Sequence, residues 1–277
     1  MHPVITIALL TVHEAARRRI LLAALLLGGA FLAIYATGFY FAHDNVTAEQ
    51  LVDAQRRIVF NMLAMAGLYA VNFLTVMASI LIPIDTISGE IESGVMQTIA
   101  TKPVARWNIV VGKWLGFVVV LAGYLAVMAG GVLAITRIIS GFVPPNAAFG
   151  VSLMLLEGAL FVTISIAAGT RLSTLANGVL GFGLFGLAFI GGWMEQIGTV
   201  LGNGTTRNVG IVASLVVPSE SLWQLAAYNM QPSIMRDVNL TPFSPASVPS
   251  RAMVAWAACY LVVALLIAVR LLRTRDL

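Results

Sequence analysis

The chain has 277 residues, of which 59% are hydrophobic and only 10% charged, and its mean hydropathy is +0.93. A soluble domain carries about 25% charged residues, so these proportions exclude a water-exposed globule and demand an outer surface that meets hydrocarbon. The formal charge of +4 and the pI near 9.6 do not indicate nucleic acid, because the basic residues mostly flank apolar runs, as membrane anchors do.

Residues 1 to 19 read as an interfacial helix. At about 100° per residue, Ile5, Leu9, Val12 and Ala16 share one face, with His13, Glu14, Arg17 and Arg18 elsewhere. A bilayer span needs about 20 mainly apolar residues. Six runs qualify: Ile20–Phe41, Ile58–Ile84, Ile109–Ile139, Phe149–Gly169, Gly178–Met194 and Met253–Leu272. The first is too long for a secretory signal and lacks a small-x-small cleavage site, so the N-terminus is expected to be kept. The third is long enough for its first turns, around Trp107 and Lys113, to lie in the interface. The fifth carries Gly178, Gly181, Gly183, Gly186, Gly191 and Gly192, and small residues let helix backbones approach, so it is expected to pack inside a bundle. Cys259 lies in an apolar run and reads as a small buried side chain; a lone cysteine forms no intrachain disulfide.

Lys and Arg set the orientation. With the N-terminus inside, ten of the 16 fall on the cytoplasmic side, including Arg17 to Arg19, Lys102, Arg106, Lys113, Arg171 and Arg270 to Arg275. Six fall outside, so both termini are expected in the cytoplasm and the chain in the cell (inner) membrane. Residues 195–250 then form an external segment. Its apolar run Val209 to Val217, ended by Pro218, is too short to cross and fits a re-entrant or surface-lying element. The stretch that follows, with Trp223, Tyr228 and several prolines, is expected to cap the bundle on the headgroups.

The loop 85–107, between spans two and three, carries the functional signal. Ser88 is an N-cap candidate, and Glu90 and Glu92 sit where a helix dipole favours anions. Ile91, Val95 and Ile99 fall within one arc, Thr101-Lys102-Pro103 is expected to stop this helix, and Pro103 is placed to open the next, which Arg106 and Trp107 anchor at the interface. The plain alternative is an amphipathic helix lying on the membrane. An acidic helix is ill suited to the anionic cytoplasmic leaflet, and carboxylates beside an apolar ridge suit a protein groove better.

ISGEIESG followed by KPVARW and GK resembles the loop of ATP-binding-cassette (ABC) type-2 permeases, in which G-E-x-E-x-G precedes K-P-x-x-R and G-K. RLSTLANG, PSESLWQLAAY and the terminal RTRDL extend the likeness in the expected order. The subgroup it suggests is the six-span single-chain permease similar to those of copper-processing and multidrug export systems. The resemblance implies an all-α membrane protein: one permease domain over residues 1–277, with six transmembrane helices, an N-terminal interfacial helix and a cytoplasmic coupling helix. It implies ATPase coupling by Gly89, Glu90, Ile91, Glu92, Gly94, Val95, Lys102, Pro103 and Arg106, and a second cytoplasmic contact at Arg171, Thr174 and Asn177. Val95 departs from the family, which often has Thr there. The partners implied are two copies of a cytoplasmic ABC ATPase, a second permease chain identical or related to this one, and membrane lipid; none is a nucleic acid.

The sequence has no G-x-x-x-x-G-K-[ST] phosphate loop, no G-x-S-x-G elbow and no H-E-x-x-H pair. It is therefore expected to be no enzyme itself and to bind no cofactor, with ATP and Mg on the partner ATPase. His2, His13 and His43 are scattered, so no metal site is expected. Glu157 lies about 12 Å along span four at about 1.5 Å per residue. An intramembrane carboxylate is a candidate for the translocation path; reaching the outer interface, or a hydrogen bond within the bundle, is the alternative. Asn61 and Asn72 read as links across helices, with Asn72 kept beside Glu157 as a path candidate. Met62, Met65 and Met77 read as core packing. An ion-coupled secondary transporter or a membrane scaffold are the competing functions. The cargo is not legible.

Overall fold

The computed structural model describes residues 2–48, 52–94, 105–238 and 247–275. These are 85% helical, with no strand among them. In chain order the helices are α1 (Pro3–Ala16), α2 (Arg19–Ala48), α3 (Asp53–Leu81), α4 (Ser88–Glu92), α5 (Arg106–Ser140), α6 (Ala147–Gly169), α7 (Thr174–Val200), α8 (Gly204–Val216), α9 (Ser219–Met230), α10 (Ser233–Val238) and α11 (Arg251–Arg273). Six of them, α2, α3, α5, α6, α7 and α11, are long and apolar enough to cross a membrane, one on each run read from the sequence. With hydrocarbon outside, every backbone polar group must be paired within the segment, which a helix alone achieves for an open chain.

Alternate helices run in opposite directions, so the bundle has two ends. One carries α1, α4, the α6–α7 turn and the C-terminus of α11. The other carries the α2–α3 and α5–α6 connections, α8 and α9. α3 and α6 lie at the centre and are mostly buried, while α2 and α11 are peripheral and mostly exposed. Polar links tie the spans together: Tyr35 Oη and Thr136 Oγ1 lie 3.0 Å apart between α2 and α5. Trp114 Nε1 donates to Thr163 Oγ1 at 2.8 Å between α5 and α6, and Ser165 Oγ donates to Ile80 O at 3.3 Å between α6 and α3.

The N-terminal helix uses a different face from the one expected. Val4, Thr11 and Ala15 are buried against α5, whereas Ile5 and Leu9 are exposed. The reason lies in α5. A Cβ on Gly112 would stand 2.7 Å from Ile7 Cβ, and one on Gly116 would stand 2.8 Å from Ala8 O, so this Gly-x-x-x-Gly edge admits the α1 backbone and no side chain. α1 is thus apolar on two sides, one for the bundle and one for lipid.

Four further expectations change. Lys113 is not an interfacial anchor but is buried, at 4% exposure. Cys259 is exposed rather than buried. α7 packs along one face only: Gly178, Gly181, Gly191 and Gly192 touch neighbours, but a Cβ on Gly183 or Gly186 would meet nothing within 4 Å. The segment after α7 does not all lie flat on the headgroups. α8 and α9 meet at a 102° bend, at Val217 and Pro218, where proline ends the hydrogen-bond ladder. α9 then enters the bundle, with Leu222, Trp223, Ala226 and Met230 buried and Asn61 Nδ2 donating to Met230 O at 2.9 Å.

Replacing Gly116 with Leu is expected to lift α1 from α5 and destabilise the protein by about 1–3 kcal/mol, as overpacking does. Cross-linking between cysteines placed at His2 and Trp107, whose rings lie 6.5 Å apart, would then fall, whereas Gly183→Leu should leave it unchanged.

Candidate functional site

The α4 end gathers most of the residues singled out in the sequence. After α3 the chain turns through Ile82, Pro83, Thr86 and Ile87, all buried, and starts α4 at Ser88. Glu90 does not face solvent. Its carboxylate pairs with the Lys113 ammonium of α5, with side chains 17% and 5% exposed respectively. Gly94 ends this element at φ +75°, a left-handed conformation that favours glycine after a helix. The second glycine of the G-E-x-E-x-G pattern therefore has a backbone reason. Gly89 is half-buried, with only Asp85 Cβ near it at 3.8 Å. Ile91 and Glu92 lie in α4, but their side chains, like Val95, Lys102 and Pro103, fall outside the described residues.

Three further ties hold the segment. Arg18, at the α1–α2 elbow, bonds both Asp85 and Glu14. Half-burial works against its charge, but the two carboxylates outweigh this and raise the guanidinium pKa above its usual value. Ser88 Oγ lies 3.0 Å from Thr174 Oγ1 at the start of α7. Asn177 Nδ2 donates to Ile84 O and to Ser165 O, each at 2.9 Å, joining α7 to the loop and to α6. Thr174 and Asn177 thus touch the segment directly, whereas Arg171 reaches Thr274 Oγ1 at 2.8 Å. Arg106 does not anchor at a free interface: its Nη1 donates to the carbonyls of Leu272, Arg273 and Arg275 at 3.1, 3.0 and 2.9 Å. Those are orphan acceptors at the negative end of α11, where a cation is favoured. Arg275 in turn donates to Thr170 O. The arginines of KPVARW, RLSTLANG and RTRDL therefore close one network.

The polar residues of the spans form a second group. Glu157 is 1% exposed and Asn72 is 5% exposed. Asn72 lies beside the Glu157 carboxyl, close enough to interact with it, while Glu157 Oε2 and Asn72 Oδ1 have no hydrogen-bond partner among the described residues. Asn61 bonds across to α9, as read from the sequence, and Met65 is core. Glu220 joins this group from α9, close enough to interact with Glu157, Tyr69 and Gln224. Gly192 on α7 makes room for it, since a Cβ there would stand 2.4 Å from Glu220 Cγ. The sequence reading missed Glu220 because it stands in a segment assigned to the outside. The available signal was its place in PSESLWQLAAY, directly after the proline that bends the chain inward.

Comparison with known families matches residues 5–277 to the ABC-2 family transporter protein model. No curated protein matches the chain. The match covers almost the whole sequence, including both polar groups. With six apolar helices around a tethered turn at one end, the chain belongs to the ABC-2 transporter family of multi-pass membrane proteins, whose members form the membrane-spanning permease of ABC transporters.

Proposed function

We propose that this chain is the passive, membrane-spanning half of an ATP-driven transporter of the inner membrane, with both termini and α4 in the cytoplasm. A separate cytoplasmic ATPase, in two copies, would bind ATP and Mg, and a second permease chain, identical or related, would complete the translocation path. The observation that carries this reading is the way the α4 segment is fastened. Through Asp85, Glu90, Ser88 and Ile84 O it is tied to the α1–α2 elbow, α5 and α7 together. A push on α4 would therefore reach three elements together, as rigid-body gating between packed helices requires.

The division of labour within the motif differs from a uniformly exposed docking helix. Glu90 acts inward, as the strut to α5. Contact with the ATPase falls to Glu92 and the residues after it, beginning at the exposed Ser93, with the neighbouring 95–104 carrying Val95, Lys102 and Pro103. Arg106 and Arg171 act through the C-terminus of α11 rather than by direct contact. Glu157 and Asn72, with Glu220, are proposed to line the path.

A second reading rests on that buried acidic group. Two carboxylates inside a bundle are also what an ion-coupled carrier uses. The two separate cleanly: affinity purification from native membranes should return a phosphate-loop ATPase, and transport in proteoliposomes should require it. Transport by the purified chain alone under an ion gradient would overturn the ABC reading.

Three variants probe the coupling. Glu90→Gln leaves the Lys113 charge buried without its partner and should cost about 2–3 kcal/mol, below the full range for a buried pair because Glu90 is partly exposed. Adding Lys113→Met should recover that stability in a thermal melt without restoring transport. Asn177→Ala should keep the ATPase bound while lowering transport per ATP by about tenfold, the size of a typical coupling energy. Unchanged transport per ATP would show that α7 does not receive the motion.

A further inference from the structure

At the end of the bundle opposite α4, helices α7, α8, α9 and α11 enclose a partly open cavity of about 540 Å³. This lies within the about 300–1,000 Å³ range of small-ligand sites. Its charged wall is Glu195, only 7% exposed, which accepts a hydrogen bond from Ser247 Oγ at 2.5 Å. No cation among the described residues pairs with it. The ion pairs among the described residues are Arg18–Glu14, Arg18–Asp85 and Lys113–Glu90, and residues 239–246 contain no Lys, Arg or His. Ser221 and Gln224 add polar groups to the lining, while Ile211, Leu215 and Trp256 supply apolar walls. Trp256 Nε1 donates to Leu215 O at 3.1 Å, which fixes the indole at the cavity edge.

We infer that this cavity binds an ammonium-bearing amphiphile, its cationic head on Glu195 and its apolar body along Ile211, Leu215 and Trp256. A carboxylate withdrawn from water is costly unless paired, and one hydroxyl does not supply a counter-charge. A bare divalent ion is a poor fit, because it takes six or more oxygen ligands and Glu195 is the one carboxylate among the described residues of the lining. An anion is repelled by the same group. An alkylammonium meets both needs, with the head neutralising Glu195, the chain covering the apolar walls, and the indole face attracting the cation. The site is independent of the α4 end, so binding is expected with no ATPase present, and its failure would leave the coupling reading untouched.

The test is tryptophan quenching in neutral maltoside micelles by 11-bromoundecyl-trimethylammonium, with 11-bromoundecanol and 11-bromoundecyl sulfate as controls. The ammonium probe should quench saturably, and Trp256→Phe should remove the saturable part. Glu195→Gln should shift the midpoint at least about tenfold upward, the loss expected when an ion pair sheltered from water is broken. Glu195→Asp, which keeps the charge, should retain saturable quenching. Should Glu195→Gln fail to elute as folded protein, the head-group series on the unmodified chain decides alone. Quenching by the alcohol or the sulfate as strong as by the ammonium would overturn the site, as would an unshifted Glu195→Gln titration.

Discussion

Lys113 sits inside a helix bundle that has hydrocarbon on its outside, and an ammonium in that setting must be met by a carboxylate. Glu90 is that carboxylate, and much of the α4 end follows from the requirement. To reach Lys113, the chain leaving α3 must fold back beneath the bundle, which buries Ile82, Thr86 and Ile87 and brings Asp85 to Arg18. Once there, the turn's carbonyls need donors, and Asn177 supplies one to Ile84 O. The pair makes α4 a fixed part of the bundle rather than a loose loop. Breaking either member leaves a charge that the surroundings cannot solvate, so the attachment is strong where a surface ion pair would be weak.

Near Lys113, Gly112 and Gly116 open one edge of α5 to the backbone of α1. The same turns of helix therefore hold the N-terminal helix on one side and α4 on another. Arg18 ties these two partners to each other through Asp85. Arg106, about two turns earlier, caps α11. The start of α5 is thus where the N-terminus, the α4 segment and the C-terminus meet. A displacement applied there has several routes into the spans and little slack in any of them.

At the other end the governing feature is the bend at Val217 and Pro218. An unbroken helix would have carried polar residues such as Ser221 and Gln224 away from the bundle. Bent by 102°, α9 instead lies among α3, α6 and α7 and delivers Glu220 toward Glu157. Asn61 secures its far end at Met230 O. On its other side the same hairpin shapes the Glu195 cavity, so one proline break organises two polar regions. Elsewhere α2 and α11 stay peripheral, with Leu22, Leu26, Val262 and Leu266 exposed. Such surfaces are tolerated because they face an apolar surrounding rather than water.

The amino-acid sequence by itself determined the six spans, because run length and hydrophobicity answer to bilayer thickness and need no tertiary partner. It also marked the start of the loop helix at Ser88, and through ISGEIESG and KPVARW it pointed to the family; the expected helix runs on to a stop at Thr101-Lys102-Pro103, whereas α4 ends at Glu92 and Gly94 turns left-handed. The tertiary structure alone decided which way the side chains act. Glu90 reads as a solvent-facing carboxylate until Lys113, 23 residues on, is brought beside it; Arg106 reads as an interfacial anchor until the end of α11 arrives beneath it; Glu220 reads as external until α9 turns inward. In each case the partner is distant in sequence, and a helical period cannot encode a contact made across the bundle. Hydrophobic patterning marks the surface that avoids water, and packing between helices decides which of the few polar groups meet.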